Sequence, residues 1–399
     1  MEDRRTLLVR ITGRDQPGLT AGLMAVLAAA RAEVLDLEQV VVRDRLTLGV
    51  LVAVDDPAVV RKDLVFVAWE RDLAIEFEEV EPGPAATAVA RHAVTVIGQV
   101  LTPAALGGIA QAIATAGGNI DRIVRLAAYP VVSYELLVSG GDVESMRAGL
   151  VEASQLHGID VALQREGLER RAKRLVVIDV DSTLIQDEVI ELLGDAAGVG
   201  EQVRAITDRA MAGELDFEAA LRERVALLAG LDESVVDGIR DAIRLTPGAR
   251  TLVRTLRRLG YRLAIVSGGF TVVTDRLRED LGIDHAYANE LEIVDGRVTG
   301  RIVGPIVDRA RKAAILQQVA AIEGVMLEQT VAIGDGANDL DMLAIAGLGI
   351  AFNAKPMVRE LADTTVSVPF LDAVLFVLGI RRDEVELADA ADAERLVVR

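Results

Sequence analysis

Three short apolar runs, each closed by a polar or glycine-rich loop, constrain this chain most. Leu175-Val176-Val177-Ile178 leads into Asp179-Val180-Asp181-Ser182-Thr183, and Arg262-Leu263-Ala264-Ile265-Val266 into Ser267-Gly268-Gly269. Thr330-Val331-Ala332-Ile333 leads into Gly334-Asp335-Gly336-Ala337-Asn338-Asp339. Short runs rich in β-branched residues, ended by turn formers, read as buried strands. Helical stretches separate them, so the expected fold is α/β, with a doubly wound, mainly parallel sheet. Ligands of such sheets bind outside the carboxyl ends of the strands, where these three loops converge.

The loops carry chemistry. Side chains alternate along a strand, so Asp179 and Asp181 both reach the crevice. Carboxylates this close call for a cation or a shared proton, although acids at a strand end also cap the helix that follows. A hydroxyl and two glycine amides at Ser267 to Gly269 suit phosphate oxygens. Lys312 adds a cation at the charged start, Asp308 to Lys312, of a predicted helix. Alone, each piece reads as a turn, a solvated lysine or an Asx-rich loop. Together and in this order they point to phosphoryl transfer. A carboxylate is a weak nucleophile, but it serves when a metal neutralises the phosphoryl oxygens. Asp179 is the expected nucleophile, and Asp181 the acid that protonates the leaving oxygen and then takes a proton from water. Ser267, the Gly268 amide, Lys312 and Asn338 would stabilise the phosphoryl charge. Oxygen donors without clustered His or Cys suggest Mg²⁺, held by Asp179, the Asp181 carbonyl and Asp335. Asp339 and Thr183 stand behind these ligands, with Asp339 orienting Lys312 or the waters of the metal.

The stretch 185–266 is far longer than a simple crossover and reads mostly as amphipathic helix, an inserted cap over about 186–246. In its helix near Leu221, 100° per residue places Leu221, Val225 and Leu228 on one stripe. Arg224 lies at the edge of that stripe, and Arg222 and Glu223 point elsewhere. A charge facing an apolar interior needs a partner: a substrate carboxylate, an acid of the chain, or solvent reached by snorkelling. Glu188 precedes Val189-Ile190-Glu191-Leu192-Leu193, where an acid also favours the helix dipole. Met211 and Phe217 read as pocket lining or as plain core.

The first 165 residues repeat at one fixed offset: Gly13 on Gly98, Gly22 on Gly107, Ala25 on Ala110, Asp36 on Asp121. In each copy a strand (Leu7 to Ile11; Ala93 to Ile97) meets a glycine-containing loop, a small-residue helix and further strands. Glu81-Pro82-Gly83-Pro84-Ala85-Ala86 reads as the linker between them, and the charged stretch Gln164 to Arg174 as the junction to the α/β domain. The run Arg381 to Arg399 reads as a terminal helix or frayed tail.

Composition sets outer limits. With 399 residues, 51% apolar, several cores can be buried, and two to four domains are expected. No apolar run is long enough to span a membrane or to serve as a signal peptide, so a cytoplasmic protein is expected. Zero cysteines exclude disulfides and thiol catalysis, and the three histidines, His92, His157 and His285, are scattered. A net charge of −19 opposes nucleic acid and anionic membranes as partners.

The four loop motifs, D-x-D-S-T, S-G-G, Lys312 and G-D-G-x-N-D, resemble those of the haloacid dehalogenase superfamily of aspartate-based phosphatases. Glu188 and the segment Met211 to Leu228 resemble its phosphoserine phosphatase branch. That resemblance implies the same catalytic roles, with Glu188 on the ammonium and Arg224 on the carboxylate of O-phospho-L-serine. It implies a cytoplasmic, Mg²⁺-dependent phosphatase completing serine biosynthesis. The alternatives are another aspartyl-phosphate phosphatase or phosphotransferase, and a catalytically silent amino-acid sensor. The two repeats resemble ACT domains, ferredoxin-like modules that often bind amino acids between subunits. Gly13 to Gly18 matches their G-x-D-x-P-G loop, whereas Gly98 to Pro103 lacks the acid. The resemblance implies a homodimer through these modules and L-serine or another amino acid near Asp15 and Gly18. The expected domains are 1–82, 90–165 and 174–380, followed by a tail at 381–399.

Overall fold

The computed structural model describes residues 4–81 and 90–397, apart from the side chains of residues 211, 240, 241, 356, 360, 361 and 394–397. Beyond Glu81, the expected linker lies outside the described residues. The chain divides into two compact units, 1–88 and 89–399.

In the first unit β1 (Arg5–Arg14), α1 (Leu19–Ala29), β2 (Glu33–Val42), β3 (Arg45–Val54), α2 (Pro57–Glu70) and β4 (Ala74–Val80) follow in turn. They form an antiparallel sheet of order β2-β3-β1-β4. Burial of period two on β1 (Leu7, Val9, Ile11) meets burial of period four on α1 (Leu19, Leu23, Leu27), which locks helix to sheet. Gly18 turns the chain into α1 with φ 79°, a left-handed conformation that costs glycine no Cβ clash. β2 is exposed along its whole length, including Val34, Leu35, Leu37, Val40, Val41 and Val42.

The second unit opens with the same order: β5 (Arg91–Gly98), α3 (Pro103–Thr115), β6 (Gly118–Ala127), β7 (Val132–Gly140), α4 (Val143–His157) and β8 (Asp160–Arg165). The strand order β6-β7-β5-β8 also repeats the first unit. This copy does not end at its own edge. β8 pairs antiparallel with a strand of the α/β domain, Ala162 opposite Thr364, giving one sheet of eleven strands. The junction is sealed by apolar packing, since Ile97, Leu126, Ala127, Val131 and Ala162 share a core cluster with Leu371 and Val374 to Val377.

After α5 (Leu168–Arg171) the α/β domain begins with β9 (Leu175–Asp179). The cap follows as α6 (Val189–Ala196), α7 (Gly200–Met211), α8 (Phe217–Ala226) and α9 (Glu233–Ala242). The chain returns through α10 (Ala249–Arg258), β10 (Arg262–Phe270), α11 (Thr271–Leu281), β11 (His285–Val294), β12 (Arg297–Val303) and α12 (Arg309–Glu323). It closes with β13 (Thr330–Gly334), α13 (Leu340–Ile345), β14 (Gly349–Phe352), α14 (Pro356–Leu361), β15 (Thr364–Val366), α15 (Val374–Val377) and α16 (Arg382–Val397). Strands β11-β10-β9-β13-β14-β15 are parallel and β12 is an antiparallel edge. β9 lies between β10 and β13, so the three motif loops leave neighbouring strands.

The two cap connections are stitched together. Gln186 N donates to the Arg244 carbonyl at 2.9 Å, Arg244 pairs with Asp187 at 2.7 Å, and Thr246 Oγ1 donates to the Thr183 carbonyl at 2.7 Å. Of the two readings of the C-terminal run, terminal helix or frayed tail, the structure shows the helix as far as Val397. It forms α16, where Asp389 and Asp392 each accept from Arg258 at 2.5 Å and Glu386 bonds Tyr129. No helix among the described residues is long and apolar enough to cross a membrane.

Candidate active site

β9 is buried throughout and delivers Asp179, 2% exposed, at its carboxyl end. Lys312, on the first turn of α12 and fully buried, donates to Asp179 Oδ1 at 2.5 Å and to Asp339 Oδ1 at 2.7 Å. Asp339 Oδ2 in turn accepts from Gly336 N at 3.0 Å, so this fully buried carboxylate is spent on the lysine and on its own loop. Gly334 is required beneath it, because a Cβ there would lie 2.4 Å from Asp339 Cγ.

Carboxylate oxygens of Asp179, Asp335 and Asp339 lie within 4.8 Å of one another. Burial, then Asp339, Asp335 and Asp181, push the Asp179 carboxyl well above its ordinary range against the pull of Lys312. Burial and Asp339 raise Asp335 to about 6, with Lys312 and the Thr183 hydroxyl, 3.3 Å away, opposing. Burial disfavours charge on Lys312, yet Asp179 and Asp339 outweigh it and hold the ammonium above its usual value. One ammonium among Asp179, Asp181, Asp335 and Asp339 leaves excess negative charge on hard oxygen donors. Such a set fits a divalent cation of the Mg²⁺ type.

Asp181 is held at both oxygens. Oδ1 accepts from Val189 N at 2.9 Å and Oδ2 from Ser267 Oγ at 2.6 Å. It thus caps the first cap helix, the plainer role open to an acid at this position, while also facing the S-G-G loop. Ser267 Oγ itself accepts from Gly269 N at 2.7 Å. Asn338 is half-buried in the short turn Ala337–Asp339, on the same loop as Asp335.

The cap brings Glu188 and Arg224 near this centre. Ser182 adopts φ 58°, a strained left-handed conformation typical of functional loops, and its hydroxyl donates to Glu188 Oε1 at 2.7 Å. Partial desolvation, then Asp181, raise the Glu188 carboxyl to about 7, although the residue is exposed. Leu221, Val225 and Leu228 are buried as a stripe, Arg222 pairs with Glu218 and Glu223 with Arg209. Half-buried Arg224 donates from Nε to the Ala220 carbonyl at 3.2 Å and from Nη1 to Thr207 Oγ1 at 3.3 Å. Desolvation lowers the pKa of its guanidinium, against the fields of Glu188, Glu191 and Asp181. Phe217 stands over the S-G-G loop: a Cβ on residue 268 would lie 3.2 Å from Phe217 Cζ. The side chain of Met211 lies outside the described residues. In the first unit Asp15 is exposed, and its N–H donates to the Asp44 carbonyl at 2.9 Å.

Thr207 and Asn289 belong to this site and carry no motif, and Ser182, inside the first motif, holds Glu188, a role the motif alone does not reveal. Asn289, buried, bonds the Gly268 carbonyl at 2.8 Å.

Haloacid dehalogenase-like hydrolases match residues 176–344, and ACT domains match residues 5–78 and 90–164. A phosphoserine phosphatase of Streptomyces coelicolor is 56% identical over 391 residues, 97% of this chain and 95% of its own. One of Mycobacterium tuberculosis is 49% identical over 398 residues, 98% of this chain and 97% of its own. The unliganded crystal structure of a probable phosphoserine phosphatase from Vibrio cholerae is 37% identical with a TM-score of 0.57, covering 72% of this chain and 86% of that one. The chain belongs to the phosphoserine phosphatase family of haloacid dehalogenase-like hydrolases, with two ACT domains ahead of its catalytic core.

Proposed function

We propose that this enzyme hydrolyses O-phospho-L-serine to L-serine and phosphate through an aspartyl-phosphate, as the last step of serine biosynthesis in the cytoplasm. The observation that carries the mechanism is buried Asp179 on Lys312, beside an Asp181 already bonded to Ser267. An Asp179 oxygen forms the new bond to phosphorus as the bond to the serine oxygen breaks, and Asp181 delivers the proton to that oxygen. Asp181 next takes a proton from water, whose oxygen displaces Asp179 and releases phosphate. Lys312, Ser267, the Gly268 amide and Asn338 hold the phosphoryl oxygens. Asp179, the Asp181 carbonyl and Asp335 would hold Mg²⁺, which neutralises phosphoryl charge when bound. Glu188 meets the substrate ammonium and Arg224 its carboxylate, with Phe217 along the pocket.

The test is phosphate release from O-phospho-L-serine, phosphothreonine and p-nitrophenyl phosphate, with Mg²⁺ and with EDTA. Metal-dependent release favouring phosphoserine is expected. Release from p-nitrophenyl phosphate alone would sink the substrate, and full activity in EDTA the metal. In the same assay Arg224→Ala should lose roughly tenfold to a hundredfold in kcat/KM on phosphoserine, the worth of one hydrogen bond to a charged group. A similar loss on p-nitrophenyl phosphate would remove Arg224 from carboxylate recognition.

The ACT pair supports a homodimer that takes L-serine near Asp15 and Gly18. The exposed apolar residues of β2 and the glycine turn ahead of α1 favour this reading. A one-chain mass by light scattering would end the dimer, and no calorimetric binding of serine lost in Asp15→Ala would end the ligand site.

A further inference from the structure

Asn289 sits where β10 departs from regular pairing. Val266 is opposite Tyr287 and Phe270 opposite Asn289, so Ser267, Gly268 and Gly269 bulge out between the two pairs. The Asn289 side chain is 1% exposed and both of its polar ends are used. Nδ2 donates to the Gly268 carbonyl at 2.8 Å and Oδ1 accepts from Val307 N at 2.8 Å. Only this orientation of the amide satisfies both partners, since a carbonyl cannot donate and an N–H cannot accept.

The Gly268 carbonyl and the Gly269 N–H are the two ends of a single peptide plane. Asn289 holds the first, and the second donates to Ser267 Oγ at 2.7 Å. Ser267 Oγ then donates to Asp181 Oδ2 at 2.6 Å. The chain of bonds is therefore continuous, from Asn289 through one peptide unit and one hydroxyl to Asp181. The other arm of Asn289 holds Val307, next to Asp308, which caps α12 by accepting from Arg311 N at 2.7 Å. Lys312 follows on that helix.

We infer that Asn289 is a positioning residue for proton transfer: it sets the peptide plane that aims Ser267 at Asp181, and it ties this loop to the helix that carries Lys312. The inference rests on Asp181 acting as the acid in the proposed reaction. In the first half-reaction a misdirected acid harms departure of a serine alkoxide, whereas p-nitrophenolate leaves without a proton; the second, in which Asp181 takes a proton from water, is common to both substrates, so the two are compared in single turnover.

Asn289→Asp is the decisive variant. It keeps the size and the acceptor for Val307 N–H, and when ionised it cannot donate to Gly268. In single turnover on O-phospho-L-serine the rate of serine release should fall about tenfold or more with half-saturation within about twofold, the scale of a small misplacement of a catalytic group. On p-nitrophenyl phosphate the loss should stay under about threefold, because that leaving group needs no acid. In a Ser267→Ala background Asn289→Asp should add little further loss on phosphoserine, as expected of groups acting in one chain. Asn289→Ser, read by the same ratio, decides the matter if the aspartate variant does not fold. Equal losses on both substrates, no loss at all, or full additivity with Ser267→Ala would overturn the inference, since a merely structural amide gives those results. Asp181→Asn separates the two levels. If its single-turnover release of serine and of p-nitrophenolate slows equally, the reading of Asp181 as the acid fails; if it is selective and Asn289→Asp is not, only Asn289 loses its role.

Discussion

Asp179→Asn is expected to lower kcat on phosphoserine by a factor on the order of 10⁴ or more, the scale at which loss of a nucleophile leaves only binding and electrostatics. The protein should remain folded, because an asparagine oxygen still accepts from Lys312 Nζ. Its stability should even rise at neutral pH without metal. Burial and neighbouring acids raise the Asp179 pKa, so the folded state pays for the ionised form as pH climbs past the ordinary carboxylate range. An amide has no such penalty, and the melting temperature of Asp179→Asn at pH 7 in EDTA should match or exceed that of the parent. Near-parental turnover in a folded variant would dismiss Asp179 as nucleophile. Lys312→Ala is a poorer test: Asp179→Asn leaves the lysine its Asp339 partner, whereas losing the lysine strands two buried carboxylates, and breaking a buried pair in that way costs about 3–5 kcal/mol and confuses catalysis with folding.

The second large effect concerns truncation. A chain starting at residue 89 keeps the eleven-stranded sheet and the core clusters built from residues 93 onward. It should fold and retain kcat within about threefold, the expectation for removing a separate domain. A chain starting at residue 174 loses Ile97, Leu126 and Val131 from the core, worth about 1.5–3 kcal/mol each. That approaches a typical net stability of about 5–15 kcal/mol, and it also bares the β15 edge. We expect low solubility and a cooperative transition shifted down or absent by circular dichroism. A well-folded, fully active 174–399 fragment would show that the second ACT domain is an appendage.

The phosphoryl centre is legible in the sequence because a parallel sheet gathers the ends of its strands. Asp179, Ser267 and Asp335 each follow their apolar run within two residues, so the loops identify themselves. The repeat is legible because Gly13, Gly22, Ala25 and Asp36 recur at one offset, and the period-four burial of α1 (Leu19, Leu23, Leu27) returns on α3 (Ala105, Ile109, Ile113). Asn289 escapes notice because its partners, Gly268 and Val307, are 21 and 18 residues away and offer only backbone groups. The continuous sheet hangs on Ala162 meeting Thr364, a contact with no local signature. A hint does exist: β1 alternates buried and exposed residues, whereas β5 is buried from His92 to Gly98, as a strand covered on both faces must be. The acidic C-terminal run likewise reads equally as helix or tail, because Arg258, which supplies the opposite charge, lies 131 and 134 residues earlier.

One carboxylate stands on a boundary. Asp181 accepts from the first helix of the cap through one oxygen and from Ser267 of the core through the other. The two bonds cannot both survive if those elements part, so cap position and the proposed proton delivery share a single interlock. Wired this way, the proposed acid is aligned only while the cap is seated, and water entering an open site meets a carboxylate out of alignment.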